Sequence, residues 1–153
     1  MSEALKIKPH HLLDIIRDFG SGREHQPHPY GHDVHRLAGI IRENPQTEFE
    51  FTAEADSICA PCKNLINTHC IDKTEITGKE TTKESWNRLL DGRIFKRLEI
   101  QEGTIMTAIE FCRLAQKKLG NLYSLYAEVE KSQTAVREKN LMQGLKDYLR
   151  SGN

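Results

Sequence analysis

Three of the four cysteines in this chain fall within twelve residues, as Cys59-Ala60-Pro61-Cys62 and then Cys70. Two thiolates at C-x-x-C spacing can reach one metal from a single tight turn. Pro61 stiffens that turn, and the seven residues between Cys62 and Cys70 form a loop that can fold back with a third sulfur. Lys63, Asn64, Asn67, Thr68 and His69 lie among them, so the segment is no apolar stripe of buried thiols. A thioredoxin-type redox pair would place C-x-x-C at the start of a helix and leave Cys70 without a role. Cys112 is different. It falls on an apolar helical stripe with Ile105, Ala108, Ile109, Ala115 and Leu119, and reads as core filler away from the cluster.

This reading needs reduced thiols. Met1–Lys8 has no apolar stretch after a basic start, and no window approaches the length of a membrane span. The cytoplasm is the compartment expected, and there cysteines bind metal more often than they pair as disulfides. The 22 Lys and Arg balance the 22 Asp and Glu, so no global charge pulls the chain to nucleic acid or an anionic membrane. With 37% hydrophobic residues, the 153-residue chain can build one sizeable core.

The pattern along the chain predicts a mainly α-helical α+β fold, with a small two- or three-stranded element from the N-terminal half. Leu5–Lys8 alternates as a strand, and Pro9 opens a helix over His10–Phe19. Gly20–Gly31 reads as a loop. Asp33 caps a helix to about Glu43, and Phe49 and Phe51 flank Glu50 as a strand. The cysteine segment, residues 58–71, is expected to be loop-rich. Thr81 and Glu84 match a capping box for the next helix. A further helix is expected from Thr104, and a last long one from Asn121, with Leu122, Leu125, Tyr126, Val129 and Val136 on one face. Residues 1–115 read as a cysteine-rich metal-binding domain, and 116–153 as a helical extension packed on it.

Three cysteines leave a tetrahedral site one ligand short. The segment Pro9-His10-His11-Leu12-Leu13-Asp14 supplies candidates, with His10 and Asp14 one turn apart on a helix and His11 also beside Asp14. His69, next to Cys70, is another. His10, His11 and His69 are thus alternative ligands, or donors that fix a ligand by an N–H bond. Any such link ties segments about fifty residues apart, while the C-terminal helices are expected to lie clear of it.

The motifs Lys8-Pro9-His10-His11-Leu12-Leu13 and Ala55-Asp56-Ser57-Ile58-Cys59-Ala60-Pro61-Cys62, together with Tyr30-Gly31 and Cys70, resemble a bacterial and archaeal family of small proteins, domain of unknown function 1284. The likeness spans roughly Leu5 to Ala115, with Leu90–Gly103 similar to the family's Asp-containing helix and Gly turn. The resemblance implies an iron–sulfur cluster on Cys59, Cys62 and Cys70. Where the family commonly has a cysteine after His-His-Leu-Leu, this chain has Asp14, which on that likeness takes the fourth position. A carboxylate is a harder ligand than thiolate, which would give a labile corner, an open site, or zinc instead.

His25, His28, His32 and His35 fall within eleven residues. They read either as a solvated polar loop or as a pinch for zinc or nickel, and the loop can also cover the cysteine site. The leading expectation is a four-iron cluster for electron transfer or redox sensing, serving a redox or protein partner. The alternative is a structural zinc module whose C-terminal helix offers a docking or homodimer surface. The sequence holds no nucleophile–base pair, no phosphate-binding glycine loop and no substrate motif.

Overall fold

The computed structural model describes residues 5–27, 29, 31, 33–63, 65–66, 69–70, 73–76 and 79–151, and for residues 66, 69 and 70 it describes the backbone. Strand β1 (Leu5–Ile7) passes directly into helix α1 (Pro9–Ser21). Pro9 is the first helical residue, where its missing N–H has no partner to lose. The helix runs into the stretch read as a loop. It stops at Gly22, whose φ of 76° suits a glycine and whose N–H closes onto the Phe19 carbonyl.

Helix α2 (Val34–Glu43) follows Asp33. The Asp33 carboxylate makes no cap bond and instead accepts from Arg36 Nε at 2.7 Å. Strand β2 (Glu48–Phe51) buries Phe49 and Phe51 on one face, as period two requires, and Phe51 stacks on Phe111 with ring centroids 4.7 Å apart. Two hairpins then depart from the expected pattern: β3 (Leu65–Ile66) with β4 (His69–Cys70), and β5 (Lys73–Ile76) with β6 (Lys79–Thr82). Apart from Ile76, β5 and β6 consist of Lys, Thr and Glu, so no apolar alternation marked them.

Helix α3 (Lys83–Leu98) is capped by Thr82, whose hydroxyl accepts from the Ser85 N–H, one residue beyond the capping box read at Thr81. The helix expected from Thr104 begins at Ala108. Ile105–Thr107 is strand β7 on the edge of β2, and Thr107 caps α4 (Ala108–Lys118). The open ladder of β2 claims these three residues for the sheet. The last helix, α5 (Lys131–Ser151), starts ten residues after Asn121. Asn121 instead accepts the Tyr123 N–H in a run of turns that buries Leu122, Leu125 and Tyr126, while Val136 faces solvent.

The result is α+β and mainly α. The main sheet has the order β1-β2-β7, with β1 parallel and β7 antiparallel to β2, so its third strand comes from the second half of the chain. Helix α5 crosses α1 backbone to backbone. A Cβ on Gly144 would lie 1.9 Å from the Ile16 carbonyl, and one on Gly20 1.9 Å from that of Asn140. Leu141, Leu145, Tyr148 and Leu149 of α5 join the same apolar cluster as Ile7, Leu12, Phe51 and Phe111. No helix among the described residues is long and apolar enough to cross a membrane.

Candidate metal centre

The site is built where β1 becomes α1. The segment after β2 runs back along β1: Thr52 N–H donates to Ile7 O, Ser57 N–H to Lys6 O, and Lys6 N–H to Ser57 Oγ. This lays Asp56 against the helix start. Its buried carboxylate accepts from the Lys8 N–H at 2.7 Å, the Ile58 N–H at 3.1 Å and the Cys59 N–H at 3.0 Å. His11 Nδ1 meets the same carboxylate at 2.7 Å. Burial alone would raise the pKa of Asp56, but the His11 imidazole and the Lys8 N–H outweigh it and hold the carboxyl well below its usual range.

Cys59 sits on the turn that Asp56 organises. Ala60 N–H donates to Asp56 O, Cys62 N–H to Cys59 O, and Leu65 N–H to Cys62 O, a chain of tight turns through the C-x-x-C. A ring nitrogen of His11, a carboxylate oxygen of Asp56 and Sγ of Cys59 all lie within 4.8 Å of one another, the one such trio of ligating atoms among the described residues. Burial and the Asp56 charge push the Cys59 thiol up to about 12. A bound cation reverses that balance, because a metal stabilises the thiolate directly. The donors therefore fit a metal: a sulfur, an imidazole held by a carboxylate, and a second half-buried cysteine, Cys62, three residues on.

Cys70 is paired in backbone register with Leu65, in the hairpin that follows Cys62. Its side chain and that of His69 lie outside the described residues, and so does convergence of the third sulfur. Cys112 is fully buried in α4, where burial pushes its thiol pKa far up.

The other N-terminal candidates are held by protein groups. His10 Nδ1 faces both oxygens of Asp91 on α3 at 2.9 Å, and its backbone N–H donates to the same carboxylate at 2.8 Å. Burial would lower the His10 pKa, but Asp91 beside it more than compensates and raises it. The His10 and His11 rings lie 4.3 Å apart, centroid to centroid. Asp14 accepts from Arg137 of α5 at 2.6 Å and from Arg17 at 3.2 Å. Burial would raise the Asp14 pKa, yet these two guanidinium groups hold it below its usual value. Helix α5 thus reaches Asp14, contrary to the expectation that the C-terminal helices stand clear of this segment. Arg137 also lies over the Tyr126 ring, 4.6 Å from its centroid.

Asp56 and Asp91 are the site residues that sequence reasoning did not assign. Asp56 lies inside the cysteine motif, and Asp91 is a lone acid amid Leu89, Leu90 and Ile94. An acid in apolar company is the signal for a buried pair.

The histidine-rich stretch divides. His28 and His32 lie outside the described residues. His25 Nε2 meets Asp18 at 2.9 Å, and His35 lies on α2. The end of the stretch leans on the cysteine turn. Asp33 N–H donates to Ile58 O at 2.9 Å, and a Cβ on Gly31, at φ 80°, would come within 3.1 Å of Pro61 O.

No curated protein and no solved structure matches this chain. One family model does, over residues 28–127. It begins later than the likeness read from Leu5, so the His10-His11 motif falls before it, and it extends past Ala115 through the turns that bury Leu122 and Tyr126. The match covers the cysteine turn, Asp56 and Asp91, and on it the chain belongs to the family described as Protein of unknown function (DUF1284).

Proposed function

We propose that this chain is a metal-centre protein in which Cys59, Cys62 and Cys70 supply thiolates and His11 the fourth ligand. The observation that carries the reading is the trio of His11, Asp56 and Cys59, drawn from segments about fifty residues apart. Asp56 takes Nδ1 of His11 and leaves Nε2 as the nitrogen available to a metal. A carboxylate behind an imidazole fixes its tautomer and raises its basicity, the usual support of a ligating histidine. His11 replaces Asp14 in this role because the Asp14 carboxylate is already committed to Arg137 and Arg17.

The group we favour is an iron–sulfur cluster of the four-iron type, in keeping with the family resemblance, which would supply one-electron transfer or redox sensing. One imidazole among three thiolates raises the potential of such a centre relative to an all-cysteine one. A second reading is structural zinc, which the carboxylate-backed histidine favours, since Cys3His is a standard closed zinc set. The test is metal and sulfide content, with the visible spectrum, of freshly purified full-length protein handled without oxygen. Iron with matching sulfide and a brown colour is expected. Zinc without sulfide selects the second reading. Metal-free, colourless protein that takes up neither metal on reconstitution refutes both.

A further inference from the structure

Lys8 joins β1 to α1 as the residue before Pro9, and it is only 5% exposed. A lysine ordinarily lays its stem on the protein and keeps its charged head in water. Lys6, two residues back, does so: its side chain is 58% exposed and pairs with Glu50 at 3.7 Å. The Lys8 ammonium, by contrast, has no ion pair and no hydrogen bond among the described residues. A cation drawn out of water is costly unless an opposite charge offsets it.

The backbone of Lys8 pins this cation to the cysteine site. Its carbonyl accepts from the N–H of His11 and of Leu12, and its own N–H donates to Asp56 Oδ2 at 2.7 Å, the oxygen that also meets His11 Nδ1 at 2.7 Å. The side chains of the site offer the ammonium no free anion. Asp56 is taken up by His11 and three backbone N–H groups. The Cys59 thiol is pushed up to about 12 by burial and by Asp56, and the Lys8 charge opposes that rise, so the ammonium stands within electrostatic reach of Cys59. Metal binding changes the account, because a ligating thiol gives up its proton. A doubly charged ion or cluster core on three thiolates and a neutral imidazole carries one net negative charge. Filling the centre therefore creates the anion that Lys8 lacks.

We propose that Lys8 is the counter-cation of the cysteine centre, its ammonium offsetting the negative charge that the thiolates bring to the metal. The inference rests on the metal reading above and deepens it by assigning the charge that tunes the same site. Net charge and hydrogen bonding at the sulfurs set the potential of an iron–sulfur centre. A cation beside them favours the reduced, more negative form and raises that potential.

The test compares full-length wild type, Lys8→Met and Lys8→Arg, each loaded with metal. For an iron–sulfur centre, redox titration followed in the visible spectrum should show the one-electron equilibrium of Lys8→Met shifted at least tenfold towards the oxidised form, a fall of about 59 mV. For zinc, competition against a chelator should show an affinity lower by about tenfold or more. Lys8→Arg keeps the charge and should stay near wild type on either measurement. In protein freed of metal the sign should reverse: Lys8→Met should be at least as stable in urea as wild type, since an apolar side chain replaces an unpaired cation. An unchanged potential or zinc affinity in Lys8→Met overturns the proposal and leaves the metal centre standing. So does an equal loss in Lys8→Arg, which would make shape rather than charge the cause, and so does a less stable metal-free Lys8→Met. Wild type that takes up no metal refutes the centre itself, and this role with it.

Discussion

His10 and His11 are neighbours in the chain, each with Nδ1 on a buried carboxylate, yet they sit in different regions. His10 reaches Asp91 on α3, is 7% exposed, and takes both oxygens of its partner. His11 reaches Asp56 in the loop before the cysteines, is 17% exposed, and shares that carboxylate with three backbone N–H groups. The first pair is closed: it ties the start of α1 to α3 inside the core. The second is open on one side, where Cys59 stands. The same chemical unit thus serves as a bolt in one region and, on the proposed metal reading, as a ligand support in the other. What separates the two is Cys59, whose Sγ stands beside the second pair.

The largest effect expected comes from opening the closed pair. Asp91→Ala leaves a buried imidazole without its counter-charge, and breaking a buried pair in this way costs about 3–5 kcal/mol. Urea denaturation should show that loss, while the protein that remains folded should retain its metal in full. If Asp91→Ala instead strips the metal from folded protein, the two pairs are one site and the comparison fails.

Next in size is the open pair. Asp56→Asn keeps shape but removes the charge behind His11, and loss of such a support lowers metal affinity by roughly 10–100-fold. Competition against a chelator is the measurement. The stability change without metal should be smaller than for Asp91→Ala, about 1–3 kcal/mol for the imperfectly satisfied amide. Unchanged metal retention in Asp56→Asn would remove His11 from the ligand set and return the question to His69.

A smaller effect is expected at Cys112, which sharpens the comparison from the cysteine side. Cys112→Ala deletes one buried atom in α4 and should cost on the order of 1 kcal/mol, with metal content unaltered. In native apo protein its raised pKa and full burial should also keep it from reacting with a thiol reagent that reaches half-buried Cys62.

The open and closed pairs were unequally legible from the sequence. The strand at Leu5, the helix opened by Pro9, and the Phe49/Phe51 alternation followed from local pattern, because burial there obeys a single period. The cysteine cluster and the His10-His11 dipeptide were visible as chemistry. Their partners were not, since Asp91 lies 81 residues from His10 and Asp56 lies 45 from His11, and no local rule pairs residues so far apart. The same limit explains β7. Ile105 and Ala108 carry a helical spacing, but the free edge of β2, more than fifty residues earlier, turned Ile105–Thr107 into strand. Asn121 failed as a cap for a different reason: the Leu122, Leu125 and Tyr126 spacing is helical, yet those side chains are buried by a run of turns.

Asp14 provides the finest test, because it separates a carboxylate near the site from one in it. It lies one turn beyond His10 and His11, and the family resemblance made it the favoured fourth ligand. In the fold its oxygen accepts from Arg137 and Arg17, with the side chain 32% exposed. Partly exposed ion pairs of this kind contribute about 0–1 kcal/mol. Asp14→Ala should therefore lower stability by no more than about 1 kcal/mol. Iron, sulfide and zinc content after identical anaerobic reconstitution should equal that of the wild type. The expected sign with pH follows from its depressed pKa: the ion-pair contribution is present above the ordinary carboxylate pKa and is lost as pH falls through the lower folded value. Asp14→Cys adds the opposite pressure, a soft thiolate at the same position. If Asp14→Ala loses metal and Asp14→Cys gains a more oxygen-resistant centre, then the carboxylate leaves its arginines to bind, and Asp14 displaces His11 as the fourth ligand.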